Sequence, residues 1–106
     1  ALGVVPLVID YGGPSELVTE DTGFRIPMDN RTAIVRNMRS TLESVIANPQ
    51  CLTAMGQAAA HRVQQVFTWD KKAQQVCEVY RWVLGHRNDK PDFGIPLRSK
   101  PSDAGL

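Results

Sequence analysis

Apolar residues near the start of the chain form an unbroken run, whereas later ones recur at wider intervals. The run Leu7-Val8-Ile9 has no polar alternation, which is typical of a strand covered on both faces in a parallel sheet, and Pro6 suits its first position. A second, short strand is expected between the turn signal Thr22-Gly23 and Pro27. The pattern therefore predicts two strands before residue 28.

Three helices are predicted after the second strand, because apolar residues then recur at helical spacing. The first has its apolar face at Ile34, Met38, Leu42, Val45 and Ile46. The second has its inner face at Leu52, Met55, Ala59, Val63 and Val66. The third has its apolar stripe at Ala73, Val76, Cys77, Tyr80, Val83 and Leu84. We expect all three faces to be core, and the third to pack on the rest of the chain.

Helix boundaries follow from capping residues and from residues that end helices. Asp29 or Asn30 is expected to cap the first of the three helices, and Asn48-Pro49 to begin the second. Gly56 is costly inside a helix, by about 1 kcal/mol relative to alanine, so it predicts close packing. Thr68 is expected to cap the third helix and Gly85 to end it.

A strand, a Gly-Gly turn and a helix start follow one another between Pro6 and Glu16, and Pro14 suits the first helical position. Gly12 and Gly13 can adopt positive φ or let a ligand approach the backbone. In an open α/β sheet such a turn borders the ligand crevice, but two adjacent glycines also make an ordinary turn. The spacing alone leaves both interpretations open.

Composition and charge mainly exclude certain partners and certain kinds of site. The 106 residues carry 12 basic and 11 acidic side chains, and a net charge of +1 favours no nucleic acid or anionic membrane as partner. No apolar run reaches the length of a membrane span, and no signal peptide is visible, so we expect a cytoplasmic chain. The two cysteines and two histidines lack metal-ligand spacing. We therefore expect no metal, reduced structural thiols and no catalytic triad.

Several short motifs occur in the order found in one enzyme family. They are Gly12-Gly13-Pro14-Ser15-Glu16-Leu17-Val18, Asp21-Thr22-Gly23-Phe24, Met55-Gly56, Arg62-Val63 and Phe67-Thr68-Trp69-Asp70. This ordered set, over about residues 3 to 84, resembles the C-terminal domain of group 1 retaining glycosyltransferases, which belong to glycosyltransferase family four. The resemblance implies an α/β fold of partial Rossmann-like type, the C-terminal half-domain of a GT-B architecture. Short parallel strands and about three to four helices are expected.

The resemblance also implies which residues meet the donor, a nucleotide-diphosphate sugar. The donor-binding candidates are Asp10, Tyr11, Gly12, Gly13 and Glu16. The role of Glu16 is ambiguous, because in a first helical turn it would stabilise the helix dipole and would oppose a phosphate. The catalytic acidic motif is expected upstream of Ala1, so this chain has no catalytic residue, and neither a cofactor nor an obligatory metal is implied.

Two strands and three or four helices are too few for a complete doubly wound sheet. We therefore expect residues 1–85 to be the C-terminal part of a donor-binding domain, inactive alone, and residues 86–106 to be a proline-rich extended tail. The tail cluster Phe93-Gly94-Ile95-Pro96-Leu97 is a candidate for docking on a neighbouring surface.

Three functions remain open. The first is a glycosyltransferase whose N-terminal domain and acceptor lie outside this chain, with peripheral membrane attachment of the full-length enzyme left open. The second is another sugar-nucleotide enzyme of the same architecture, such as a 2-epimerase. The third is a non-enzymatic α/β interaction module, which is favoured if the chain is complete.

Overall fold

The computed structural model of the chain describes residues 1–94. These residues form a mixed α/β fold with the elements β1 (Leu7–Asp10), α1 (Gly12–Leu17), β2 (Phe24–Pro27), α2 (Arg31–Ala47), α3 (Cys51–Val66) and α4 (Trp69–Val83). The expected α/β class, with parallel strands and four helices, is confirmed for this part of the chain. The chain divides into two compact units, Ala1–Gln64 and Gln65–Leu106, which we call unit 1 and unit 2. The division predicted at residues 85 and 86 stays a prediction.

The sheet of unit 1 consists of β1 and β2, paired in parallel from Leu7 opposite Phe24 to Asp10 opposite Pro27. The N–H of Phe24 donates to the carbonyl of Pro6 at 2.9 Å, just before the pairing begins. All four β1 residues are only half-buried, so the predicted covering of this strand on both faces is wrong for this chain. A sheet of two strands, contacted by α1 at β1 and by α2 at β2, has too few neighbours to bury them.

The turn before β2 is held by threonine hydroxyls and by a glycine with no room for a side chain. The N–H of Thr19 donates to Oγ1 of Thr22 at 2.9 Å, and the N–H groups of Thr22 and Gly23 both donate to the carbonyl of Thr19. A Cβ at Gly23 would lie 2.6 Å from the carbonyl oxygen of Pro6 and 2.9 Å from Cγ1 of Val18. The Thr22-Gly23 motif therefore holds the turn that connects α1 to β2.

The start of α1 differs from its prediction. The helix begins at Gly12 and not at Pro14, with Tyr11 in the N-cap position and in extended conformation at φ −148°. Pro14 still falls within the first four residues, whose N–H groups have no partner inside the helix. The predicted helix start is therefore two residues late.

The cap of α2 is confirmed, and its predicted inner face is confirmed in part, because Ile34, Met38 and Val45 are half-buried. Asn30 caps the helix, and its Oδ1 accepts the N–H of Ala33 at 3.0 Å. Ala33 is buried, whereas Leu42 and Ile46 are 49% and 78% exposed and do not belong to the core. Thr41, which is half-buried, can face inward because its hydroxyl donates to the carbonyl of Asn37 at 3.0 Å within the same helix.

The third helix, α3, begins at Cys51, two residues after the predicted Pro49. Asn48 ends α2 instead, where its N–H donates to the carbonyl of Ser44 at 3.1 Å. Gly56 is buried, and a Cβ there would collide with the carbonyl oxygen of Gly3. The predicted close packing at Gly56 is thus confirmed, and its neighbour is the backbone before β1.

Both predicted ends of α4, in unit 2, are confirmed. Oγ1 of Thr68 accepts the N–H of Lys71 at 3.3 Å, and Gly85 has φ +75°. The N–H of His86 donates to the carbonyl of Arg81 at 2.8 Å and that of Gly85 to Trp82 at 3.1 Å, which is the Schellman arrangement. Residues 86–94 contain no helix or strand, and residues 95–106 of the predicted tail, with most of its apolar cluster, lie outside the described residues.

The predicted burial of the α4 stripe is wrong. No α4 residue is buried, and Val76, Tyr80 and Leu84 are 48%, 63% and 69% exposed. Among the described residues, the buried hydrophobic ones are Val18, Ile26 and Ala33, all of them in unit 1. Amphipathic spacing correctly predicted the helix, but it did not establish that this chain supplies the surface to cover it.

Candidate functional site

The candidate site begins where β1 ends. Asp10 and Pro27 are the last paired residues of the two strands, and the chain then turns sharply, with the N–H of Tyr11 donating to the carbonyl of Ile9 at 2.7 Å. The Tyr11 side chain is 65% exposed. The predicted residues Asp10, Tyr11, Gly12 and Gly13 therefore form one continuous turn at the carboxyl end of a parallel strand, the position where open α/β sheets bind ligands.

Only one of the two glycines in this turn uses a glycine conformation. Gly12 has φ +63°, whereas Gly13 is not among the positive-φ glycines of the described residues. The hydroxyl of Ser15, which is buried, donates to the carbonyl of Gly12 at 2.8 Å and holds the turn. The conformational need for glycine thus lies at Gly12, and Gly13 requires another explanation.

The space around the glycines is open. Apart from its chain neighbours and the backbone of its own helix, a Cβ placed at Gly12 or at Gly13 would meet no atom of the described residues within 4 Å. This contrasts with Gly23 and Gly56, where backbone of the same chain fills that space. A ligand can therefore reach the backbone at Gly12 and Gly13 without displacing any part of the chain described here.

Glu16 does not occupy the first helical turn in which the sequence places it. Because α1 begins at Gly12, Glu16 is the fifth residue of a six-residue helix, and the first turn of that helix contains no acidic residue. A stabilising interaction with the helix dipole is therefore not the reason for this residue, since that effect is confined to the first turn. Glu16 is half-buried and lies three residues after Gly13.

The turn and α1 carry negative charge only. Residues 10 to 17 include Asp10 and Glu16 and no lysine or arginine. The guanidinium of Arg62, on α3, reaches the other end of α1, where its Nε donates to the carbonyl of Leu17 at 3.2 Å. Arg62 thus satisfies a carbonyl at the helix C-terminus. This segment offers backbone N–H groups to a ligand, but no cation to balance a diphosphate.

A cavity of about 340 Å³ in unit 1 includes one predicted site residue, Asp10. The polar side chains that line it with Asp10 are Glu20, Arg25 and Thr41, and Phe24 and Met55 contribute apolar surface. The other predicted residues, Tyr11, Gly12, Gly13 and Glu16, are not among its lining residues. Of the turn residues, Asp10 thus lines this cavity, whereas the two glycines that follow it do not.

Sequence reasoning did not mark Arg25 or Glu20 as site residues. Both flank the Asp21-Thr22-Gly23-Phe24 motif, but only the parallel register, which places Arg25 opposite Val8, shows that this segment runs beside the end of β1. No pattern in the local sequence predicts how β1 and β2 are aligned in the sheet. Proximity in the chain to a recognised motif was the only clue.

Among residues 1–94, no group of three or more histidine, cysteine, aspartate or glutamate side chains is arranged to hold a metal ion. Within the same residues, no helix combines the length and the apolar character that crossing a membrane requires. No family model, curated protein or solved structure matches the chain. The resemblance to the glycosyltransferases therefore stays a prediction from the motifs.

Proposed function

We propose that this chain is the C-terminal part of a Rossmann-like, nucleotide-sugar-binding domain of a cytoplasmic retaining glycosyltransferase. The observation that carries the proposal is the open glycine turn at the carboxyl end of β1. Its Gly12 has φ +63°, and at neither Gly12 nor Gly13 would a Cβ meet another segment of the described chain within 4 Å. The parallel pairing of β1 with β2 supports it, because parallel strands joined through a helix build the ligand crevices of open α/β sheets.

The role we assign to the turn is to present backbone N–H groups to the diphosphate or the sugar of the donor. Glycine permits the closest approach of a ligand to the main chain, and hydrogen bonds from fixed N–H groups stabilise charge that develops as the bond to the leaving diphosphate breaks. The helix α1 has only six residues, so the individual N–H groups, and not a large helix dipole, provide the interaction.

The cations that a diphosphate requires are assigned to other parts of the protein. Residues 10 to 17 contain Asp10 and Glu16 but no basic residue, so this segment alone would repel a diphosphate. The acids and cations of the reaction belong, in this proposal, to the preceding half of the domain and to the N-terminal domain. The chain alone is then inactive.

The surface of unit 1 supports the idea of a partial domain. Every residue of β1 is only half-buried, and each of the two strands of the sheet has one edge without a partner strand in the described residues. On α2, apolar side chains at Val35, Leu42 and Ile46 are 59%, 49% and 78% exposed. Strand edges and apolar surfaces of this kind are normally covered, and further strands of a larger sheet would cover them.

A screen of the full-length protein against nucleotide-diphosphate sugars tests the proposal. We expect at least one such donor to raise the melting temperature, because a ligand that binds only the folded state stabilises it. The matching free nucleoside is the control, and it should raise the melting temperature less. A full-length protein that is stabilised by no nucleotide-diphosphate sugar, or an isolated 106-residue chain that transfers sugar, would overturn the proposal.

A non-enzymatic interaction module is the second candidate function. The observation that favours it is the exposed apolar face of α4, which lies in unit 2 and does not belong to the glycine turn. This surface is compatible with either function, because a catalytic protein can also associate through it.

A further inference from the structure

The apolar residues of α4 follow a regular spacing of four and three residues. They are Trp69, Ala73, Val76, Tyr80 and Val83, which we call the α4 seam. Every seam residue is exposed, and the exposed fractions of Trp69, Val76, Tyr80 and Val83 are 89%, 48%, 63% and 68%. Alternating intervals of four and three residues are the repeat with which two helices pack side by side.

The neighbours of the seam widen this apolar surface. Val79 and Leu84, which are 37% and 69% exposed, lie beside it, as does the exposed thiol of Cys77. In a pair of helices these are the flanking positions next to the core seam, where apolar residues extend the contact. The seam ends at the left-handed turn of Gly85.

The charges on the opposite side of α4 favour a protein partner over a lipid surface. That side carries Lys71, Glu78 and Arg81, and Glu78 binds the guanidinium groups of Arg81 and Arg87 at 2.6 and 2.7 Å. Helices that lie on anionic membranes have a polar face rich in lysine and arginine without such neutralisation. The mixed and paired charges of α4 lack that feature.

The size of the surface fits a dimer. The exposed parts of the large seam and flanking side chains amount to roughly 700 Å² per chain, given the 150 to 250 Å² that an aromatic residue can bury. A stable interface takes about 800 Å² from each partner. The α4 surface of one chain is therefore close to half of a standard interface, which is what a second, identical copy would complete.

We propose that two copies of this chain associate through α4, with the seam of one helix packed against the seam of the other. The proposal does not depend on the function of the glycine turn. It gives Trp69, Val76 and Tyr80, whose side chains are exposed in the described structure, a partner surface of matching spacing and chemistry.

Sedimentation velocity on the 106-residue chain, over concentrations from about 1 to 200 µM, tests the proposal, because association depends on concentration. We expect the dimer fraction to rise with concentration. Val76→Glu places a charge at the centre of the seam and should shift the dissociation constant upward by at least tenfold. Gln74→Glu adds the same charge to α4 outside the seam and should leave the dissociation constant within about twofold.

Circular dichroism of both variants establishes that α4 remains folded, and Val83→Lys provides a second seam variant if Val76→Glu does not fold. A wild-type chain that is monomeric at every concentration overturns the proposal. It is also overturned if a folded seam variant dimerises as well as wild type. Cosedimentation of a monomeric chain with vesicles of anionic phospholipid would assign the surface to a membrane and would likewise overturn it.

Discussion

Unit 1 and unit 2 place their apolar residues in opposite ways. In unit 1, small residues let backbone segments meet closely, as at Gly23 beside Pro6 and at Gly56 beside Gly3, and three hydrophobic residues are buried. In unit 2, α4 has well-formed caps at both ends and no buried residue. The first unit is specified by tight backbone contacts. The second is specified by local helix signals, and none of the residues of its helix α4 is buried in the described structure.

This difference shows that local helix signals and burial are separate properties. The Thr68 cap and the Gly85 turn determine where α4 begins and ends, whichever surface covers its apolar stripe. Packing of the glycines in unit 1, in contrast, exists only because two distant segments lie against each other. Substitutions should therefore have different consequences in the two units.

The largest expected effect comes from adding one methyl group to unit 1. In Gly23→Ala, the new Cβ would lie 2.6 Å from the Pro6 carbonyl oxygen and 2.9 Å from Cγ1 of Val18, so backbone must shift. We expect the free energy of unfolding to fall by about 1 to 3 kcal/mol, which is typical of overpacking. Denaturant unfolding of the chain measures this directly.

The matched variant in unit 2 is Tyr80→Ala, which removes a whole ring. Because Tyr80 is 63% exposed, we expect a change within about 0.5 kcal/mol at concentrations where the chain is monomeric. If Tyr80 were a core residue, as the sequence predicts, the substitution would lower the free energy of unfolding by about 3 kcal/mol or more. If Tyr80→Ala lowered the free energy of unfolding more than Gly23→Ala does, the comparison between the two units would be contradicted.

A smaller effect is expected from the carboxylate that links α4 to the residues after it. Hydrogen bonds from Arg87 and then Arg81 hold the pKa of Glu78 below its ordinary value. A lowered folded-state pKa means that the stabilisation is present above the unfolded-state pKa of about 4.3 and is lost as the pH falls through the lower folded-state value. The ion pairs of Glu78 with Arg81 and Arg87 should therefore weaken only in acid.

Carbon-13 NMR of the Glu78 carboxylate across the acid range measures this pKa. We expect a midpoint below about 4.3, a clear upward shift in Arg87→Gln and a smaller upward shift in Arg81→Gln, following the order of the two hydrogen bonds. A midpoint that neither substitution moves would show that these ion pairs do not persist in solution.

Much of the fold could be predicted from the sequence, because its signals are local. The caps at Asn30 and Thr68, the end at Gly85 and the close packing at Gly56 all depend on residue types with narrow conformational roles. The inner face of α2 could be predicted only in part, since Leu42 and Ile46 have helical spacing yet are exposed. Spacing identifies an apolar face, but the tertiary neighbours decide whether it is covered.

The candidate site could be predicted only in part. The sequence located the glycine turn, but the conformational demand is at Gly12 alone, because the helix begins two residues earlier than expected. Arg25 and Glu20 reach the cavity beside Asp10 through the register of two parallel strands, which no local pattern encodes. Contacts between distant segments were thus the part that sequence reasoning could not supply.

The most direct test of the central claim is to measure how tightly the full-length Gly13→Ala variant binds the nucleotide-diphosphate sugar that stabilises the wild type. Gly13 is in a helix and has no positive φ, and a Cβ there would meet no other segment of the described chain within 4 Å, so the substitution should not lower the melting temperature. Gly85→Ala, at another open position, is the control that strains the backbone without affecting the turn. The account predicts that Gly13→Ala weakens donor binding at least tenfold while Gly85→Ala does not, and unchanged donor affinity in Gly13→Ala would contradict it.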